Sequence, residues 1–285
     1  MDILISGVNG FIGAELLQAL RKDKDLYHVF GTGRQADDPR NKYYHVNLTD
    51  KGSVRELIKK LRSENISPTA FVHCAAVMAD AGNTSDPGLF LQNNFITENI
   101  ILIVTELKIK HLVNLSSIAV YPNEDGEYSE TSTVNPAKNG DCLYGLSKFC
   151  SEELFCFYLN PSGVSVTNLR IAQVYGNRMR QDRTFKIMEN EMKETNKITV
   201  WSNGERVSNF VDVNFVVSTI VHFLNNPVNG LFNVGGENLA YKDLARKVIE
   251  MHNYQNVEIC LVDKGVSAKI YINSDKLKRE LQNNC

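Results

Sequence analysis

At 285 residues, 43% of them hydrophobic, the chain has room for one large domain or two small ones and can bury a sizeable core without cross-links. A formal net charge of −2 excludes any general attraction to nucleic acid or to an anionic membrane, so a polyanionic ligand must be held by a local group of donors. No apolar run approaches a membrane span, and the N-terminal MDILISGVNG lacks a signal peptide's layout. Cys74, Cys142, Cys150, Cys156, Cys260 and Cys285 form no C-x-x-C pair and the histidines have no zinc-like spacing. Free thiols in a reducing cytoplasm and no metal are the expectation.

The apolar run Ile3-Leu4-Ile5 ends at a glycine turn and reads as a buried strand, with Phe11, Ile12, Leu16, Leu17 and Leu20 following at helical spacing. Strands are predicted at 28–31 and 43–46, and Asp50 or Ser53 caps a helix carrying Val54, Leu57, Ile58 and Leu61. A fourth strand is expected at 70–74 and a fifth at 112–115, with a helix at 90–107 between them. A helix at 144–158 and a strand at 165–171 come next. Beyond Val174 the chain turns polar, with a helix at 185–194 and a strand at 198–201 ending at Asn203-Gly204. A strand at 210–213, a helix at 215–224 and a strand at 231–234 are expected to rejoin the sheet. The tail offers a helix at 241–252, a strand at 257–262 and a charged terminal helix. Such alternation predicts an α/β, Rossmann-type, doubly wound parallel sheet with a smaller C-terminal α/β substrate lobe. The expected division is 1–173 plus 209–236 for the dinucleotide-binding domain, and 174–208 with 237–285 for the substrate lobe.

In SGVNGFIGAEL, glycines recur every three residues between strand and helix. Gly7 permits the sharp exit from the strand, Gly10 lets a pyrophosphate approach the backbone, and Gly13 lets the helix pack against the sheet. The helix start then offers free N–H groups to the phosphates. At the end of the second strand stands Thr32-Gly33-Arg34 rather than an acidic residue. Arg34 is a planar cation suited to a 2′-phosphate, which favours NADP(H). NAD(H) remains open, with Asp37 or Asp38 as its ribose partner.

Further along, Ser117 follows the fifth strand, and Tyr144 and Lys148 lie four apart, on one face of a helix. A phenol with a pKa of about 10 carries protons poorly at neutral pH. A lysine ammonium and an oxidised nicotinamide beside it both favour the phenolate. Ser117 can hydrogen-bond the same substrate oxygen and fix it against Tyr144. Together they suit hydride transfer coupled to proton transfer at an oxygen.

With these motifs the chain resembles the extended short-chain dehydrogenase/reductases, in particular the NAD(P)-dependent nucleotide-sugar epimerase/dehydratase/reductase group. GVNGFIG, which includes Phe11 and Ile12, is similar to that family's glycine motif, and LSSIAVY and YGLSK to its serine and tyrosine motifs. The resemblance implies further cofactor contacts at Asn47 and Leu48, at Ala75 and Ala76 in HCAA, at Asn93, and at Lys148. It implies substrate contacts at Ser117 and around LRIAQVYG. Departures narrow the activity. Ile118-Ala119 replace a dehydratase's Asp-Glu pair, and Ala119, with no histidine between His111 and His222, disfavours epimerisation at C3 or C5. The family's Asn is Gln173, its Pro is Asn177, and its Arg-Asp-Phe reads Ser208-Asn209-Phe210. Arg206 or Arg178, or else Arg180 or Arg183, is left to grip the sugar diphosphate.

Three functions follow. The first expectation is an NADPH-dependent reductase of a 4-keto (6-deoxy) nucleoside-diphosphate sugar, with Tyr144 as general acid. The alternative is an NAD-dependent nucleotide-sugar C4 epimerase using the same three residues. The remote alternative is a non-catalytic NADP(H)-binding regulator. The resemblance also implies a homodimer built on two helices, for which Leu89, Phe90, Phe149, Phe155 and Phe157 are candidates.

Overall fold

A computed structural model describes residues 1–80, 82–265 and 267–283; Cys285 lies outside the described residues. In chain order the elements are β1 (Asp2–Ser6), α1 (Phe11–Leu20), β2 (His28–Gly33), β3 (Tyr43–His45), α2 (Lys51–Ser63), β4 (Ala70–His73) and α3 (Pro87–Glu106). There follow β5 (His111–Ser117), β6 (Gly126–Tyr128), α4 (Cys142–Leu159), β7 (Ser165–Ile171), β8 (Gln173–Tyr175) and α5 (Thr184–Thr195). The chain continues with β9 (Lys197–Trp201), β10 (Val207–Asp212), α6 (Val213–Asn225), β11 (Gly230–Val234), β12 (Glu237–Ala240) and α7 (Tyr241–Met251). Last come β13 (Glu258–Val262), β14 (Ile270–Ile272) and α8 (Asp275–Asn283).

Seven strands form one parallel sheet in the order β11-β7-β5-β4-β1-β2-β3. Ile3 and Ile5 face α1 and α6 in one core, and Leu4 faces α2 and α3 in the other. That two-sided burial explains an uninterrupted apolar strand. The chain runs from β1 outward through β2 and β3 and then crosses back to β4 on the other side of β1, and this switch of direction opens a crevice at the carboxyl ends of β1 and β4. Helix α3 starts three residues earlier than its apolar pattern suggests, because the Asp86 side chain accepts from Gly88 N and Pro87 opens the first turn.

One expectation fails. The strand after Gly204 does not rejoin the central sheet: β10 pairs with β8 in parallel and with β12 antiparallel. The edge it would have taken is filled by β11, which runs alongside β7 from Gly230↔Thr167 to Val234↔Ile171. The 231–234 strand does return as expected. The terminal helix α8 packs back under β11, with Leu277 in the core beside α1 and α6. Among the described residues no helix is long and apolar enough to cross a membrane.

Candidate active site

A cleft of about 1570 Å³ runs along the carboxyl ends of the strands. That exceeds the roughly 300–1,000 Å³ of a single small-molecule pocket, so it has room for two ligands side by side. Gly7, at φ +70°, carries the chain out of β1, and a Cβ there would lie 2.9 Å from the Ala75 backbone. A Cβ on Gly13 would lie 2.3 Å from the carbonyl oxygen of Gly7. The helix that follows has no side-chain cap and no acidic residue in its first turn. Its leading N–H groups at Phe11, Ile12 and Gly13 therefore have no side-chain acceptor, and these residues line the cleft. A dinucleotide's pyrophosphate fits this cradle in both shape and charge.

At the adenosine side, Gly33, Arg34, Asn47 and Leu48 line the cleft. Arg34 is exposed and has no hydrogen-bond or ion-pair partner among the described residues. The two nearby acids are engaged elsewhere: Asp37 binds Lys60 Nζ at 2.6 Å and the His45 N–H, and Asp38 caps the 39–41 turn. The Asn47 side chain accepts from the Thr49 N–H and hydroxyl, within its own turn. Ala75 and Ala76 form the wall after β4. Asn93 stands behind that wall, not in the cleft. Its amide bonds both Val77 N and Val77 O, at 2.8 and 2.9 Å, and so holds the wall in place.

Ser117, Tyr144 and Lys148 line the same cleft. Ser117 sits at the end of β5, where its Oγ accepts from Ala119 N at 3.1 Å and keeps its own proton free to donate. Tyr144 lies in the first turn of α4 and is 8% exposed. One turn on, Lys148 donates to Leu115 O at 2.8 Å, with its Nζ 5.7 Å from the Tyr144 ring centroid. Burial lowers Lys148 from an ordinary lysine's 10.5 to about 8. Burial also pushes the Tyr144 phenol above its usual range, with Arg183 opposing and Asp141 reinforcing. The expected lowering by lysine and an oxidised nicotinamide therefore has to work against desolvation, with Arg183 on its side.

At the β8–β10 end of the cleft, two of the sequence's departures pair with each other, Gln173 Nε2 donating to Ser208 Oγ at 2.7 Å. Arg178 lies 3.4 Å from Glu15, and Arg180 is bound through two nitrogens to Asp182. Arg206 differs from these. It lines the cleft with its guanidinium 5.6 Å from the Tyr241 ring centroid, and its buried Nε has no partner among the described residues. Asp141 and Tyr241 were not singled out from sequence, and neither was Glu152, which binds Arg170; Arg183 was expected only as a diphosphate ligand, not as a charge beside Tyr144. Glu152 follows Lys148 by four residues, as Lys148 follows Tyr144, so the helical spacing carried that signal.

Residues 3–235 match the profile of the NAD dependent epimerase/dehydratase family. The chain belongs to that family. Its members include NAD-dependent epimerases, dehydratases and oxidoreductases. The chain is 27% identical over 249 residues to an uncharacterized UDP-glucose epimerase of Bacillus subtilis, covering 83% of this chain and 77% of that one. It is 27% identical over 219 residues to a GDP-6-deoxy-D-talose 4-dehydrogenase of Aggregatibacter actinomycetemcomitans, covering 75% and 67%. In fold it is similar to a UDP-glucose 4-epimerase of Thermotoga maritima solved with UDP-glucose, with a TM-score of 0.81 at 21% identity over 98% of this chain and 92% of that one. A UDP-glucuronic acid 4-epimerase of Bacillus cereus, solved with NAD, gives a TM-score of 0.79 at 22% identity over 99% and 92%.

Proposed function

We propose that the protein is an NAD(P)-dependent enzyme that inverts C4 of a nucleoside-diphosphate sugar by oxidising and re-reducing it. The observation that carries this reading is that one cleft takes in the glycine turn, the Ser117-Tyr144-Lys148 group and Arg206, whose buried Nε has no hydrogen-bond partner among the described residues. The relatives favour epimerisation over the simple reduction that the sequence put first. When bound, the dinucleotide supplies and accepts the hydride at its nicotinamide. Tyr144 moves the proton at the sugar's 4-oxygen, and Ser117 donates a hydrogen bond to the same atom. Lys148 has donors left beyond the one given to Leu115 O, and these would hold the nicotinamide ribose. Burial keeps Tyr144 protonated at neutral pH, the form that gives up a proton in the reducing half. The oxidising half needs the phenolate, which the Arg183 charge favours.

A second reading, NADPH-dependent reduction of a 4-keto sugar, is favoured by one observation. Arg34 has no partner among the described residues on the cleft wall while Asp37 and Asp38 are both engaged, which suits a 2′-phosphate. Incubation with UDP-glucose, UDP-glucuronic acid and UDP-N-acetylglucosamine, followed by NMR, and in parallel with NADPH and a panel of 4-keto nucleotide sugars, followed by NADPH absorbance, separates the two. Inversion at C4 without net cofactor turnover supports the epimerase. Stoichiometric NADPH oxidation, seen only with 4-keto nucleotide sugars, refutes it in favour of the reductase; neither activity refutes both.

We also propose a homodimer across α3 and α4. Leu89 and Phe155 are core residues and unavailable to it, whereas Phe157 is 71% exposed and Leu91 and Phe95 are each 51% exposed.

A further inference from the structure

Tyr43 lies behind the cleft wall, 8% exposed, and does not line the cleft. Its hydroxyl nevertheless accepts two hydrogen bonds from residues that do. Asn9 of the glycine turn donates its Nδ2 at 3.1 Å, and Gln35 of the loop after β2 donates its backbone N–H at 3.0 Å. Between those two donors passes Gly33, where a Cβ would stand 2.5 Å from the same hydroxyl oxygen. The backbone of Tyr43 closes the loop as well, exchanging two 2.9 Å hydrogen bonds with Asp38. One phenol thus joins the turn that cradles a pyrophosphate to the loop that carries Arg34.

We infer that Tyr43 is a positioning residue that holds the 33–38 loop against the glycine turn and so sets the affinity for the adenosine half of the dinucleotide. The inference rests on the reading of the cleft as a dinucleotide site. Physically, a loop already fixed in its bound arrangement is not ordered at the ligand's expense, so its staple appears in the dissociation constant. Gly33 belongs to the same device: only a residue without a side chain lets the backbone pass over the hydroxyl. Because Tyr43 is outside the cleft, its contribution reaches the ligand through Asn9, Gly33, Arg34 and Gln35 alone.

Calorimetric titration of the full chain with NADP⁺, NAD⁺ and ADP-ribose tests this, using Tyr43→Phe, Gly33→Ala and the double substitution. Tyr43→Phe is expected to weaken ADP-ribose and both dinucleotides about tenfold, the scale of one or two ordinary hydrogen bonds. Whatever ratio the native protein shows between NADP⁺ and NAD⁺ moves toward one, since the loop bearing Arg34 is released. Gly33→Ala gives a comparable loss alone. In the Tyr43→Phe background it adds little, because the next nearest atoms to the new Cβ are 3.4 Å away. Such non-additivity is not produced by a general loss of stability. Native affinity in Tyr43→Phe overturns the inference, as do losses that add in the double substitution. A melting midpoint lowered by more than about 5 °C with affinity unchanged also overturns it, assigning the hydroxyl to folding. Failure of the native protein to bind any of the three ligands overturns the dinucleotide reading and this inference together.

Discussion

Arg170→Met strands a carboxylate in the floor of the site. Arg170 and Glu152 have side chains only 3% exposed. The guanidinium binds the carboxylate through Nε at 3.0 Å and Nη2 at 2.7 Å, and donates through Nη1 to Tyr121 Oη at 2.9 Å. Ser116 donates its hydroxyl to the same carboxylate, so the pair ties the strand beside Ser117 to the helix turn beyond Lys148. Removing one partner of a buried ion pair costs about 3–5 kcal/mol, because the remaining charge is neither solvated nor paired. Ser116 still supplies one hydrogen bond, so the lower figure applies. At ~2–4 °C per kcal/mol for a chain of this order, the melting midpoint falls by roughly 6–12 °C.

Urea unfolding of the native protein, Arg170→Met, Glu152→Met and the double substitution measures this directly. The double substitution replaces both charges with apolar chains and is expected to recover most of the loss. A loss under about 1 kcal/mol, or a double substitution as damaged as Arg170→Met alone, refutes the argument.

Lys148 is lowered from 10.5 to about 8 by burial, so between those values the unfolded chain holds the extra proton. Stability should rise with pH across that window, by up to roughly 3 kcal/mol, and lose the rise in Lys148→Met; equal slopes in urea midpoints at pH values on either side would contradict it. Arg206→Ala should raise KM for the nucleotide sugar about tenfold with kcat nearly unchanged, the pattern of a residue that grips the substrate without moving its proton. Arg206→Lys should fail to rescue it, lacking the planar group over Tyr241; steady-state kinetics with an unchanged KM would refute the assignment. Light scattering should give a two-chain mass for the native protein and a one-chain mass for Phe157→Glu, and a monomeric native protein would end the dimer proposal.

Much of the fold was legible because it depends on local pattern. Apolar runs such as Ile3-Leu4-Ile5 and helical spacing such as Val54, Leu57, Ile58 and Leu61 report burial directly. The glycine turn and the Tyr144-Lys148 pair were legible because backbone approach and a shared helix face are set by spacing alone. What escaped depends on distant partners. The three-residue strands β6 and β14 pair across more than a hundred positions, and β10 was misassigned because the occupant of the sheet edge lies further on in the chain. Asn93 sits on the expected helix, but only tertiary packing turns it toward Val77. The phenol's rise escaped for the same reason: solvent exclusion at Tyr144 comes from elements that no local window contains.

The substrate end shows how separate substitutions form one physical unit. Arg206, Ser208 and Phe210 line the cleft at alternate positions along one strand edge, as the twofold repeat of an extended chain requires. Phe210 pairs with Gln173 in register, which brings the longer glutamine amide within reach of the Ser208 hydroxyl. An arginine at position 208 would take away that acceptor and set a second cation on the same edge as Arg206. Glutamine at 173, serine at 208 and arginine at 206 are therefore mutually consistent. Under the proposed reading the cation at this end of the cleft is Arg206, placed over the Tyr241 ring two residues before the serine that receives the glutamine's hydrogen bond.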